Sequence, residues 1–399
     1  MTTVDQTPVA VAEPVLSRLR ELTPLLRQGA ASSEAARRVS DDSIAALREA
    51  GAFRIATPRR YGGLETSLRT MLEVSATIAE GDGGPAWVTT LSNVNAWAAG
   101  LHQDSRIADE VWADGPDTII AGVLATTGTA RRVPGGYRVS GSWAYSSASL
   151  HADWATGGVL LVDDDGEVQD QAMVYLPRQD FRIEDTWYVA GMRSSGSNTI
   201  VAEDVFVPEH RVKLMSSLVS GAYLVHHPDS PLYRSALGPL LVMVLVGPQL
   251  GLGRAALDMV IQKGASKATS YTSYAQNRDS VAFQMMIADA AIKVETAHLH
   301  AYRAAADIES WALAGEFPDV LQRAKIRGDA AAALRSVNEA ITILLNANGA
   351  SSFAESNALQ RIWRDSNVAS RHAVMLPQIQ LETYGKALLG VEQQITAII

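Results

Sequence analysis

Residues 135–143 read Gly-Gly-Tyr-Arg-Val-Ser-Gly-Ser-Trp. A glycine pair followed by apolar and polar side chains in alternation is the signature of a turn entering a β-strand. The same period of two recurs in Val159-Leu160-Leu161-Val162, Ala172-Met173-Val174-Tyr175 and Thr199-Ile200-Val201. Between the first two of these runs, Asp163-Asp164-Asp165 precedes Gly166 without the spacing of a calcium loop, and predicts a hairpin turn. On either side of this β-rich region the period is helical. Residues 13 to about 115 include Ser40-Asp41-Asp42 followed by Ser-Ile-Ala-Ala-Leu-Arg-Glu-Ala and Gly51. That stretch carries an N-cap, an acidic first turn, an amphipathic body and a terminating glycine. From about residue 236 onward long helical patterns return, for example Ser280 to Trp311. The order is a helical domain (1–116), a β domain (117–225) and a second helical domain (226–399), an α+β chain that is mostly α.

Composition narrows the chemistry. The 399 residues are 47% apolar and 19% charged and include no cysteine, which excludes disulfides, thiolate metal sites and thiol nucleophiles. With 34 basic and 43 acidic residues the net charge is −9, which argues against a general affinity for nucleic acid or anionic membranes. The opening MTTVDQTPVAVAEPV has no basic n-region before an apolar stretch; it reads as a short disordered arm without an export signal, and predicts a cytoplasmic protein.

Two stretches imitate other functions. Residues 235–253, SALGPLLVMVLVGPQLGLG, run without a charge over nearly a membrane-spanning length, but Pro239, Pro248 and four glycines interrupt them. A buried core helix of a soluble protein is predicted. At its end, Gly251-Leu-Gly253 imitates a dinucleotide-binding turn, yet Pro248 breaks the strand that should precede it, and Ala268 to Tyr274 offers no carboxylate.

A set of local motifs carries more information. In order along the chain come Leu47-Arg48-Glu49-Ala50-Gly51-Ala52-Phe53, Pro58-Arg-Arg-Tyr61-Gly62-Gly63, the 135–143 stretch, and Gly191-Met192-Arg193-Ser-Ser-Gly196-Ser197. Val205-Phe206-Val207-Pro208 and Leu359-Gln360-Arg361-Ile-Trp363-Arg364-Asp365 follow. The sequence resembles the acyl-CoA dehydrogenase superfamily, and more closely its two-component, flavin-dependent monooxygenase branch. That resemblance implies an N-terminal helical domain, a central β-barrel domain, a C-terminal four-helix bundle, and assembly as a homodimer or homotetramer.

The resemblance also implies site residues. Trp143-Ala-Tyr145-Ser146-Ser147 would lie against the flavin, with Ser147 near N5 as a hydroxyl or backbone donor and with Tyr145 and Trp187 as aromatic walls. Leu124 and Ala125 join Tyr145, Ser146, Ser147 and Trp187 in the implied cofactor site, and Gly349 joins from Asn348-Gly349-Ala350-Ser351, which contacts the flavin of a neighbouring subunit. Asn95, Trp97 and Thr126 are implied on the substrate side. Two local departures bear on that pocket. Ala125-Thr126-Thr127-Gly128 stands where many phenol-hydroxylating relatives have Pro-x-Gly, and Asn95 where some have histidine.

The dehydrogenases of the superfamily abstract an α-proton with a glutamate commonly nine residues after the arginine of the Arg-Asp pair; here that residue is Ala373, whose methyl group cannot take a proton. Next to it stands His372, where the monooxygenase branch carries an active-site histidine. An imidazole, with an ordinary pKa of about 6.5, can exchange a proton with a phenol, an indole or an amine, or hydrogen-bond a peroxide. The Arg-x-x-Phe-Gly stretch of tightly FAD-binding dehydrogenases is missing from Ser270–Arg278. This fits reduced flavin (FADH2 or FMNH2) delivered by a separate reductase.

The implied activity is therefore that of an oxygenase component: reduced flavin and O2 form a C4a-hydroperoxide that hydroxylates an aromatic or heteroaromatic, indole-type substrate. His372 and Ser147 are the catalytic candidates. An N-oxygenase of an amino sugar and an acyl-CoA dehydrogenase are the alternatives, and a catalytically silent scaffold is the non-enzymatic one.

Overall fold

The computed structural model describes residues 8–102, 104–396 and 398–399, with side chains from residue 13 onward. Five helices come first: α1 (Pro8–Ala36), α2 (Asp41–Ala50), α3 (Leu68–Ala79), α4 (Gly83–Gly100) and α5 (Ser105–Val111). The strands are β1 (Ile120–Val133), β2 (Gly136–Trp143), β3 (Trp154–Val162), β4 (Val168–Pro177), β5 (Arg182–Glu184), β6 (Thr199–Pro208) and β7 (Val212–Leu214). Helices resume with α6 (Met215–Val219), α7 (Leu237–Val244), α8 (Gly247–Met259), α9 (Val281–Ala314), α10 (Val320–Asn348), α11 (Ala358–Ala369) and α12 (Pro377–Leu388).

Local chemistry sets many of these bounds. Ser40 caps α2 by accepting from the backbone N–H of Ser43, and Gly51 ends it at φ +85°. Ser280 caps α9 in the same way. The acidic turn joins β3 to β4, with Asp163 Oδ1 accepting from the backbone N–H groups of Asp165 and Glu167. Two expectations change. Residues 1–7 of the expected disordered arm lie outside the described residues, but from Pro8 the chain is already helical. The strands form one sheet in the order β5-β6-β2-β1-β3-β4-β7, so the expected barrel is an open sheet. Its edge strands β5 and β7 have three residues each and do not pair with one another.

One core runs through all three segments, from Leu19 of α1 through Val139 of β2 to Leu334 of α10. The stretch 237–264 is long and apolar enough to cross a membrane, but most of it is buried within the protein. Its Gly251 and Gly253 lie inside α8 and follow no strand. Gly251 lets α8 approach α3, because a Cβ there would meet the carbonyl oxygen of Ala76 at 2.0 Å.

Trp143 organises the sheet. It is fully buried, and its indole N–H donates to the carbonyl of Gly158 at 2.8 Å. Its ring fills a slot walled by Gly128, Gly141 and Gly157, where an added Cβ would come within 2.4–2.6 Å of the ring. Burying an indole contributes on the order of 4–6 kcal/mol. Three strand glycines cost roughly 0.5–1 kcal/mol each, so the slot is a net gain. Gly157→Ala should lower unfolding free energy by at least ~1–3 kcal/mol through overpacking. Gly385→Ala, inside α12 with nothing within 4 Å of the new methyl, should raise it by up to ~1 kcal/mol. Denaturant titrations of the two variants check the pair.

Candidate active site

The implied flavin-facing residues converge where the sheet meets α4 and α11. Strand β2 ends at Trp143, so Tyr145, Ser146 and Ser147 form a turn. The turn is sharp: Tyr145 and Ala148 both have left-handed backbones, at φ +64° and +68°, each costing about 1 kcal/mol or more. The backbone N–H of Ser146 donates to the carbonyl of Asn198, and that of Ser147 to Tyr145. Asn198 also accepts, through Oδ1, from the backbone N–H groups of Thr186 and Trp187. One asparagine thereby places the Tyr145 turn beside Trp187, and their rings meet edge to face at 5.9 Å. Tyr145 is largely exposed, whereas Trp187 is buried.

On the neighbouring strand the β1–β3 register slips between Val123↔Gly157 and Gly128↔Val159. Residues 124–127 arch over Gly158, whose missing side chain admits the carbonyls of Leu124 and Ala125. Thr127 Oγ1 donates to the carbonyl of Ser142 at 2.8 Å, which brings Leu124, Ala125 and Thr126 to the end of β2.

A residue that the sequence reading missed ties the catalytic candidates together. The indole N–H of Trp87 on α4 donates to Ser147 Oγ at 3.0 Å. Its ring also lies edge-on to the His372 imidazole at 5.6 Å between centroids. Ser147 Oγ continues into a buried hydroxyl chain, 2.7 Å to Ser197 Oγ and from there 2.7 Å to Ser195 Oγ. Ser195 Oγ donates to the carbonyl of Met192 at 2.7 Å, and the Trp187 indole donates to the same oxygen at 3.0 Å.

Met192, at φ +53°, is held from behind. Its backbone N–H donates to the buried carboxyl of Asp365 at 2.5 Å. Gly191 packs its bare Cα against the carbonyl of Arg364. Burial, and then the proximity of Asp82, push the Asp365 carboxyl above the usual carboxylate range; burial raises Asp82 as well. Both line a cavity of about 20 Å³ together with Arg361, room for about one water.

His372 follows α11 in a turn and is half-buried. Desolvation pushes its pKa down to about 4, so the ring is neutral at neutral pH. Its Nδ1 accepts a long 3.4 Å hydrogen bond from the backbone N–H of Val374, which favours the tautomer with hydrogen on Nε2. Ala373 beside it is exposed.

Three implied residues stand apart. Asn95 is buried, and its amide donates to the carbonyls of Leu91 and Ile120 while accepting from Thr156; it fastens α4 to β1. Trp97 is fully buried, with its indole bonded to the carbonyl of Leu232 and its ring edge-on to Tyr223. Two positions apart on a helix, they point about 160° away from each other and do not share one pocket wall. Gly349 is exposed at the C-terminal end of α10.

Residues 243–377 match the acyl-CoA dehydrogenase C-terminal domain family. The oxygenase subunit HsaA, a flavin-dependent monooxygenase of Rhodococcus jostii RHA1, is 32% identical over 379 residues, 94% of this chain and 98% of the relative. The chain belongs to the flavin-dependent monooxygenase branch of the acyl-CoA dehydrogenase superfamily. Indole-3-acetate monooxygenase of Pseudomonas putida, another relative, is 30% identical over 85% of this chain and 84% of its own. The solved structure of XiaF from Streptomyces sp. in complex with FADH2 and glycerol has a TM-score of 0.94 at 35% identity, covering 98% of each chain. The 3-HSA hydroxylase of Rhodococcus sp. RHA1 has a TM-score of 0.90 at 30% identity, covering 97% of this chain and 99% of that one.

The residues gathered here suit the family's flavin. An isoalloxazine has apolar faces and a neutral polar edge, and the site offers the exposed ring of Tyr145, the indoles and several hydroxyls. Ser146 Oγ, fully buried and without a protein partner, is an unused polar atom in the middle of them.

Because the pKa of His372 is depressed when folded, its neutral form contributes stability that is present above about pH 6.5 and lost as pH falls through about 4. In ¹⁵N-histidine NMR of the flavin-free protein, its titration midpoint should fall near 4. His372→Gln should lose less stability than the parent on acidification from about 6.5 to 4.

Proposed function

We propose that this chain is the oxygenase component of a two-component flavin-dependent monooxygenase, which hydroxylates an aromatic or heteroaromatic, indole-type substrate with O2. Reduced flavin, FADH2 or FMNH2, is supplied by a separate reductase. The observation that carries the reading is the Trp87 indole with the Ser147 hydroxyl on its N–H and the His372 imidazole against its ring, next to Ala373 where a dehydrogenase would need a carboxylate. The relative named for indole-3-acetate and the structural relative solved with FADH2 support the substrate class and the cofactor.

Tyr145, Ser146, Ser147, Trp187, Leu124 and Ala125 would hold the flavin, with Thr126 toward the substrate. When bound, the reduced flavin supplies the electrons that activate O2 for transfer of one oxygen atom. The protein's own part is to exclude water and to manage one proton. His372, neutral with hydrogen on Nε2, hydrogen-bonds the substrate heteroatom or the oxygen being transferred; exchanging tautomers costs only the long bond to Val374. No positively charged cluster joins the residues gathered here, which favours a neutral substrate over a nucleotide-linked amino sugar.

The test supplies reduced flavin from a generic reductase and screens indoles and phenols under ¹⁸O2. One labelled oxygen atom should enter the product. His372→Asn should cut product formation by about 10²-fold or more while flavin still binds. Reduction of bound flavin by an acyl-CoA thioester would instead restore the dehydrogenase alternative.

We also propose that the enzyme is a cytoplasmic homo-oligomer in which a second copy brings Gly349 to the flavin. Along α9, Val281, Met285, Ile292 and Leu299 are 60–68% exposed and fall on one stripe. An apolar helix seam of that kind is what a second copy would cover. Ile292→Glu with Leu299→Glu should yield a smaller species by light scattering while the chain stays folded.

A further inference from the structure

The hydroxyl chain has one consistent proton order. Ser195 Oγ donates to the carbonyl of Met192, which has no hydrogen to give. Its single O–H is thereby used, so between Ser195 and Ser197 it is Ser197 that donates. By the same count Ser147 must donate to Ser197, since each hydroxyl holds one hydrogen. Ser147 Oγ meanwhile accepts from Trp87, and the Ser147 backbone N–H is taken by Tyr145. Both donors of Ser147 are therefore engaged within the fold. What remains is one lone pair on Oγ, so Ser147 can accept but not donate.

This reverses the role that the resemblance suggested for Ser147, and it has a consequence for the redox state of the ligand. Reduced flavin carries a hydrogen on N5; oxidised flavin has a bare, accepting N5. A serine fixed as an acceptor complements the first and opposes the second. We infer that Ser197, by holding the Ser147 hydroxyl as an acceptor, makes the site select reduced over oxidised flavin. The inference rests on the flavin reading above. Ser197 acts through Ser147 and is a positioning residue. Turning the Ser147 hydrogen outward would leave Ser147 and Ser197 facing each other lone pair to lone pair at 2.7 Å, or, if Ser197 turned to donate to Ser147, would pass the same clash to Ser197 and Ser195.

The test is the ratio of dissociation constants for oxidised and reduced FMN and FAD, measured anaerobically by equilibrium binding. The parent should bind the reduced form at least about tenfold more tightly. Ser197→Ala frees the Ser147 O–H and should shrink the ratio about tenfold, a drop of about 30 mV in the bound two-electron midpoint potential difference. The double variant Ser147→Ala with Ser197→Ala should show the ratio of Ser147→Ala alone. Ser195→Ala, which releases Ser197 to rotate, should act in the same direction and serves if Ser197→Ala does not fold. An unchanged ratio in a folded, flavin-binding Ser197→Ala protein, or a shift that survives removal of Ser147, overturns the inference and leaves the flavin reading standing. A parent protein that binds neither form overturns the flavin reading itself.

Discussion

The backbone of Met192 is bonded on both sides. Its N–H donates to the buried carboxyl of Asp365, and its carbonyl accepts from Ser195 Oγ, the Ser195 N–H and the Trp187 indole. Four donor–acceptor pairs hold one residue in a left-handed conformation that costs about 1 kcal/mol or more, so the conformation is over-determined. Three parts of the chain meet there: α11 through Asp365, the β domain through Trp187, and α4 through Ser194, which presses on the bare Cα of Gly84. The raised affinity of Asp365 for its proton is the electrostatic counterpart of this arrangement. A carboxyl sealed beside Asp82 needs Arg361 and the backbone N–H to tolerate any negative charge.

Two motifs that are 150 residues or more apart in sequence therefore form one object. Gly191–Ser197 and the Arg364-Asp365 pair had no visible relation along the chain, yet the carboxyl of one caps the turn of the other. The separate readings that did succeed share a different property. The capped α2, the acidic hairpin turn and the interrupted apolar run at 235–253 all depend on neighbours within a few residues, and short-range chemistry is visible in one dimension.

Trp87 was missed for a physical reason. Nearly every residue of α4 is buried, so the helix has no polar face to reveal which side meets the site. The glycine pair that opens it, Gly83-Gly84, was a signal of close approach, but only Ser194 in space gives it meaning. The resemblance placed Asn95 and Trp97 on the substrate side; in the fold one secures β1 and the other fills the core beside Tyr223. The turn at Tyr145 was hidden because its left-handed backbone carries a tyrosine, not a glycine.

On the proposed reading, the site divides its proton handling between groups of different kind. Hydroxyls do not titrate near neutrality, and the Ser147–Ser197–Ser195 chain ends on a carbonyl that can only accept, so its polarity is set by connectivity and is the same at every pH the fold survives. His372 is the opposite: its ring is held by one long hydrogen bond and an edge contact with Trp87, which leaves its tautomer free to change. Trp87 touches both and titrates with neither, because an indole N–H is a donor only. A fixed polarity beside a movable proton, joined by a group that cannot pass protons between them, would keep the two proposed functions from short-circuiting. That separation would fail if Trp87 were a histidine or a tyrosine, either of which could relay a hydrogen from His372 into the hydroxyl chain.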